Sequence, residues 1–148
     1  MTTTAPLVNA RVIALAHYAG RALAEDAVAR HGVTFHQNVT LRAVVVAGGS
    51  IGREELVAEV TGSLKTDASF VHGVMEELTA AKLVEEDPAD ASRIRPTEAG
   101  RERYETTAAA TAEIAARLYA GIPAEDLAVA GRVLTLVTER ANAELAGA

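Results

Sequence analysis

Apolar residues recur at helical spacing between Ala5 and Arg30, at Leu7, Val8, Val12, Ile13, Leu15, Ala16, Ala19, Leu23, Ala27 and Val28. Residues spaced by three or four share one face of a helix, so the run predicts one long helix, stopped by Gly32. Thr34 with Gln37 three residues later is a capping-box pattern and opens a second helix. That helix carries Phe35, Val39, Leu41, Val44 and Val45 and ends at Gly48-Gly49. Ser50-Ile51 predicts a short strand. Gly52 then caps a third helix from Arg53 to Val60, and Thr61-Gly62-Ser63 reads as a break. Asp67 is a good N-cap for a fourth helix, because its carboxylate accepts free N–H groups of the first turn. The helix runs to about Lys82 with Val71, Val74, Met75 and Leu78 inward. Leu83-Val84 and Ser92 to Arg95 flank the turn composition Asp87-Pro88-Ala89-Asp90, which predicts a two-stranded hairpin. Thr97 caps a fifth helix reaching Gly121. Pro123 opens a sixth, with Leu127, Val129, Val133, Leu134, Leu136, Val137 and Leu145 apolar.

Three short helices followed by a hairpin make a winged helix-turn-helix, a mainly α fold with a small β-hairpin wing. The flanking helices carry apolar stripes wider than one small domain covers. Packing against a second subunit in a two-fold dimer is the natural way to bury them. The expected organisation is a helical dimerisation region over 1–33 and 98–148 around a DNA-binding winged helix over 34–97. Two-fold symmetry suits two half-sites about one turn of DNA apart, a palindromic operator.

Composition supports helices: 49% of the 148 residues are apolar, mostly Ala, Val and Leu, and only 3% are aromatic. No run approaches the ~18 apolar residues of a membrane helix. The opening MTTTAPLVNAR lacks the basic flank and apolar centre of a signal peptide, so a cytoplasmic location and no membrane partner are expected. The absence of cysteine excludes disulfides and thiolate sensing. The net charge of −6 weighs against nucleic acid as a partner only in bulk, because affinity depends on charge at the contact face.

The run TDASFVHGVMEELTAAKLVEED (66–87) resembles the recognition helix and first wing strand of MarR-family transcriptional regulators, whose pattern Leu-Glu-x-x-Gly-Leu-Val is matched by LTAAKLV (78–84). GVTFHQNVTLRAV (32–44) is similar to the family's second helix. RIRPTEAG (93–100) is similar to its second wing strand and the start of the fifth helix. DLAVAGRVLTLVTERANAEL (126–145) is similar to its dimerising helix. The likeness covers nearly the whole chain in order. Lys82 stands where a Gly is usual, Pro96 where a Leu precedes the Thr, and the wing's usual Asp-x-Arg is absent.

The resemblance implies a homodimeric repressor that binds duplex DNA and is released by a small molecule. Its fourth helix would enter the major groove, and its wing would reach phosphates or the minor groove. Lys65, Ser69, Phe70, His72 and Gly73 are the candidate contacts around that helix. Ser69 and His72 can bond base edges, and Phe70 can pack on a thymine methyl or, alternatively, in the core. Arg93, with Arg95 second, stands in for the wing arginine, and Lys65 and Arg93 offer charge to phosphates. The segment 62–95 is nonetheless net negative, and an alternative reading is a winged-helix dimer acting as a protein-interaction module. A third reading is a ligand- or metal-sensing variant with weak DNA affinity.

Family effectors are small and aromatic or anionic, held beside the first and second helices. Arg11, His17, Tyr18 and His36 are the candidates here, since an imidazole with an arginine can hold a carboxylate or phenolate. The competing reading makes His17 and Tyr18 interface residues. His31 and His36 do not make a metal site, because a glycine and a helix start separate them and no cysteine supports them. No glycine-rich phosphate loop or Ser/His/Asp grouping suggests an enzyme, and no cofactor is expected.

Overall fold

The structure, a computed structural model, describes residues 4–148. In chain order it contains α1 (Ala10–Ala29), α2 (Phe35–Val46), β1 (Ile51–Gly52), α3 (Arg53–Leu64), α4 (Ala68–Ala80), β2 (Val84–Asp87), β3 (Asp90–Pro96), α5 (Glu98–Tyr119) and α6 (Ala124–Gly147). Two units divide at Ile114/Ala115, inside α5. No helix among the described residues is long and apolar enough to cross a membrane.

The first unit holds the hydrophobic core. Leu41 and Val44 of α2, Leu56 and Val60 of α3, and Val71, Val74, Met75 and Leu78 of α4 meet Ile51, Val84 and Ile94 of the sheet and Leu83 just before β2, with Val28 and Val33 closing one side. Burying each such side chain contributes about 1.5–3 kcal/mol, which is why the short helices are stable here although none would be alone. The sheet is antiparallel in the order β1-β3-β2, with Ile51 opposite Ile94, Gly52 opposite Arg93 and Glu85 opposite Arg95. Alternation along β3 turns Ile94 and Pro96 inward and leaves Arg93 and Arg95 half-buried on the other face.

Several boundaries differ from those the sequence predicts. α1 begins at Ala10, not Ala5, because Asn9 is its N-cap and accepts the Val12 N–H at 3.0 Å. Pro6 also disfavours helix in the residue before it. Leu7 and Val8 therefore lie outside the helix and are exposed. The capping box stands as expected: Gln37 N–H donates to Thr34 Oγ1, and Thr34 N–H to Gln37 Oε1. α3 continues through the expected break to Leu64. Thr61 folds its hydroxyl back on the Val57 carbonyl at 2.8 Å, and the helix ends only at Lys65, in the left-handed region at φ 55°. β3 is longer than the predicted strand. Pro123 is the N-cap of α6 rather than its first helical residue, with an extended ψ of 138°.

Two helix ends share one geometry with different residues. At the end of α1, Gly32 N–H bonds the Ala29 carbonyl and Val33 N–H the Val28 carbonyl. At the end of α4, Lys82 N–H bonds the Thr79 carbonyl and Leu83 N–H the Leu78 carbonyl. Both are Schellman motifs, whose pivot residue is left-handed and usually glycine. Gly32 fits at φ 79°, whereas Lys82 holds φ 60° against its own Cβ. Lys82→Gly is thus expected to stabilise the protein by about 1 kcal/mol, read as a raised denaturant midpoint at unchanged slope. An unchanged or lowered midpoint would show that the Lys82 side chain contributes more than its backbone costs.

The second unit is α6 and the end of α5. α6 has no buried residue: Leu127, Val129, Val133, Leu134, Leu136 and Val137 are all at least 36% exposed. A 24-residue helix that presents so much apolar surface to water is missing whatever covers it.

Candidate nucleic-acid interface

Asp67 caps α4 by accepting the Phe70 N–H at 2.8 Å, and Val71, Val74, Met75 and Leu78 fix one face of the helix in the core. Helical periodicity then forces Ser69, Phe70, His72 and Gly73 to the opposite side, where the first three are exposed and Gly73 half-buried. The structure therefore brings these four sequence-predicted residues together on one helix. Lys65 is not on that helix. It forms the left-handed turn between α3 and α4, with its side chain exposed beside the start of α4.

Phe70 lies outside the hydrophobic core. Its ring is 41% exposed, and its edge meets His36 at 4.8 Å between centroids, nearly perpendicular. His36 also packs on Phe35 at 5.6 Å, and the Arg21 guanidinium lies 4.4 Å over the Phe35 ring. Such contacts are worth about 0.5–1.5 kcal/mol each and stiffen the junction of α1, α2 and α4. His36 thus lines a groove of about 340 Å³ with Thr34, Ser69, Phe70, Gly73 and Glu77, on the α4 side. Gln37 Nε2 donates to Glu77 Oε2 at 2.7 Å across the same groove. The other effector candidates are on α1: His17 and Tyr18 have rings 5.7 Å apart, and both, like Arg11, are exposed.

Arg93 lies in β3 at the base of the wing. Its guanidinium is half-buried at the wing's base, donating from Nε to Ser50 Oγ at 2.8 Å and from Nη2 to the Ser50 carbonyl at 3.0 Å. It stitches β3 to β1 and does not stand at the tip. Arg95 pairs with Glu85 directly across the hairpin at 3.0 Å. Arg53, which sequence reasoning missed, donates to the Ala91 carbonyl at 3.2 Å and to Glu86 at 3.1 Å, joining α3 to both wing strands. No local spacing reveals that link, because its partners lie 38 and 33 residues away. The tip itself, 87–92, carries Asp87 and Asp90 and no cation. Asp90 accepts both the Ser92 hydroxyl at 2.6 Å and the Ser92 N–H at 2.9 Å, which hold its carboxyl below the usual range and keep the turn anionic.

A core of three short helices with a three-stranded wing, in which α4 buries one face and exposes the other, is a winged helix-turn-helix. With the long helices at both ends it is the fold of MarR-family regulators. A MarR-family transcriptional regulator of Rhodococcus sp. RHA1 is similar with a TM-score of 0.73 at 19% identity, over 86% of this chain and 91% of that one. CouR of Rhodococcus jostii RHA1, bound to p-coumaroyl-CoA, is similar with a TM-score of 0.73 at 17% identity, over 86% and 88%. A mutant MarR of E. coli complexed with operator DNA is similar with a TM-score of 0.70 at 17% identity, over 86% and 91%. No protein-family model and no curated protein matches the sequence.

Gly73 has open space where a Cβ would be: nothing lies within 4 Å of it. Glycine inside a helix costs about 1 kcal/mol relative to alanine and is unexplained by packing within the chain. Gly73→Ala is expected to raise stability by about 0.5–1 kcal/mol and to weaken duplex binding at least tenfold if the groove edge approaches the backbone there. Melting curves and fluorescence anisotropy on the same variant check both halves. Unchanged affinity would remove Gly73 from the contact surface.

Proposed function

We propose that this chain is a homodimeric, sequence-specific DNA-binding regulator of transcription, a repressor released by a small aromatic or anionic molecule. The observation that carries the reading is the solvent-facing surface of α4, which exposes Ser69, Phe70 and His72, with Gly73 half-buried among them and Lys65 at its approach. Ser69 and His72 read base edges, Phe70 supplies apolar contact for a thymine methyl, and Lys65 meets a phosphate. Arg93 and Arg95 act chiefly by holding the wing in register, with only their unused donors left for phosphate. The operator complex of one similar protein and the p-coumaroyl-CoA complex of another support a DNA-binding, ligand-responsive reading. Dimerisation through a helical region at 1–33 and 98–148 covers the bare apolar face of α6, and the winged helix over 34–97 binds the operator. Arg11, His17 and Tyr18 on α1 receive the effector, which alters operator affinity by binding the two dimer conformations unequally.

A gel shift with the DNA upstream of the gene, at two salt concentrations, tests the reading. Three candidate cations per subunit predict a log–log salt slope no steeper than about −5 for the dimer, shallow for a repressor. No sequence-specific shift at low salt would favour the protein-interaction module instead, a reading for which the acidic wing tip speaks.

A further inference from the structure

The structure assigns a second binding site, for the phosphate groups of a small molecule, to the cleft between the end of α1 and the start of α5. The cleft, about 380 Å³, is lined by Arg30, His31, Ala99, Glu102, Arg103 and Thr106, and lies wholly within the first unit. Arg103 is the centre of the inference. The residue is half-buried, and among the described residues its side chain has no ion-pair or hydrogen-bond partner. A guanidinium with no acceptor of its own keeps its donors available for an anion that enters the cleft. Its Nη1 lies against the backbone of Gly32, 3.2 Å from where a Cβ would stand, so the left-handed glycine at φ 79° leaves the room it occupies.

The remaining charges select the ligand. Arg30 is held at the rim by Asp26 at 2.8 Å, with both side chains largely exposed, and its other donors are free to face the cleft. His31 contributes an imidazole, and Glu102 subtracts one charge. A monocarboxylate brings one charge and two oxygens, which Glu102 largely offsets. A phosphate or pyrophosphate brings about two charges or more and enough oxygens to engage both guanidinium forks at once. The site is also placed to be felt elsewhere. Three residues before Arg103, Gly100 packs on the Leu83 carbonyl, and Thr97 bonds the Lys82 and Leu83 carbonyls at 2.7 and 3.0 Å. The first turns of α5 are thereby fixed to the root of the wing. The binding claim does not depend on DNA recognition and is measured without DNA.

Calorimetric titration of the full chain with inorganic pyrophosphate, at constant ionic strength, is the test. Saturable binding is expected, weakened at least tenfold in Arg103→Gln and tightened severalfold in Glu102→Gln, with Arg117→Gln unchanged. Acetate at matched ionic strength should not displace pyrophosphate. Non-saturating heats in the unaltered protein, or equal binding by Arg103→Gln, would overturn the site, and displacement by acetate would overturn its phosphate selectivity. If Arg103→Gln fails to fold, Glu102→Gln decides alone: tighter binding supports the site, and unchanged binding overturns it. Adding pyrophosphate to the DNA gel shift separates the two sources of phosphate. Competition in proportion to duplex concentration would mean that the cleft takes DNA backbone and would overturn the small-molecule assignment.

Discussion

Gly100→Ala is expected to lower the melting temperature by roughly 10 °C or more. A Cβ at this position would overlap the Leu83 carbonyl oxygen and lie 2.9 Å from its carbon. The clash is with backbone, so no side-chain rotation relieves it. Leu83 cannot retreat either. Its side chain is 3% exposed in the core, its N–H closes the end of α4, and its carbonyl accepts the Thr97 N–H. Forcing α5 away from this joint costs about 3 kcal/mol or more, at the upper end for overpacked sites. Differential scanning calorimetry gives the answer directly. A shift of only a degree or two would mean that α5 packs more loosely on the wing root than its backbone contacts require.

Placing two charges on α6 is expected to have the largest effect on function. Leu134 and Val137 are 41% and 45% exposed, so a Leu134→Glu, Val137→Glu double variant should fold normally. If a second copy covers this face, each side chain contributes about 1.5–3 kcal/mol to association, and a buried unpaired carboxylate costs more still. The double variant should run as a single chain in light scattering at micromolar concentration. Its duplex affinity should fall at least a hundredfold, because one half-site provides about half the contacts. Retention of the dimer would move the interface away from α6.

Most of the architecture was legible because its signals are local. The Thr34–Gln37 box, the Asp67 cap and the inward spacing of Val71, Val74, Met75 and Leu78 each lie within a turn or two of helix. The misplaced boundaries came from competing local chemistry. Thr61 satisfied its hydroxyl within the helix instead of breaking it, and Asn9 out-competed the apolar pattern upstream. The wing's long-range links were not legible, since an arginine in a strand looks free until its partner is known. Arg93 finds Ser50 and Arg53 finds Glu86 over separations of 43 and 33 residues, which no periodicity encodes. The packing of His36 on Phe70, 34 positions away in the chain, is likewise invisible to local spacing. Gly100 passed unremarked as a helix residue, for nothing local tells of a carbonyl pressed against it.

Hydroxyl-radical footprinting on the DNA upstream of the gene bears most directly on the paired-helix mechanism. Two protected patches of equal strength, centred about one helical turn apart and lost together in Ser69→Ala, His72→Ala, are the expected pattern. A single patch, or protection that survives the loss of both α4 side chains, would contradict recognition by two copies of that helix.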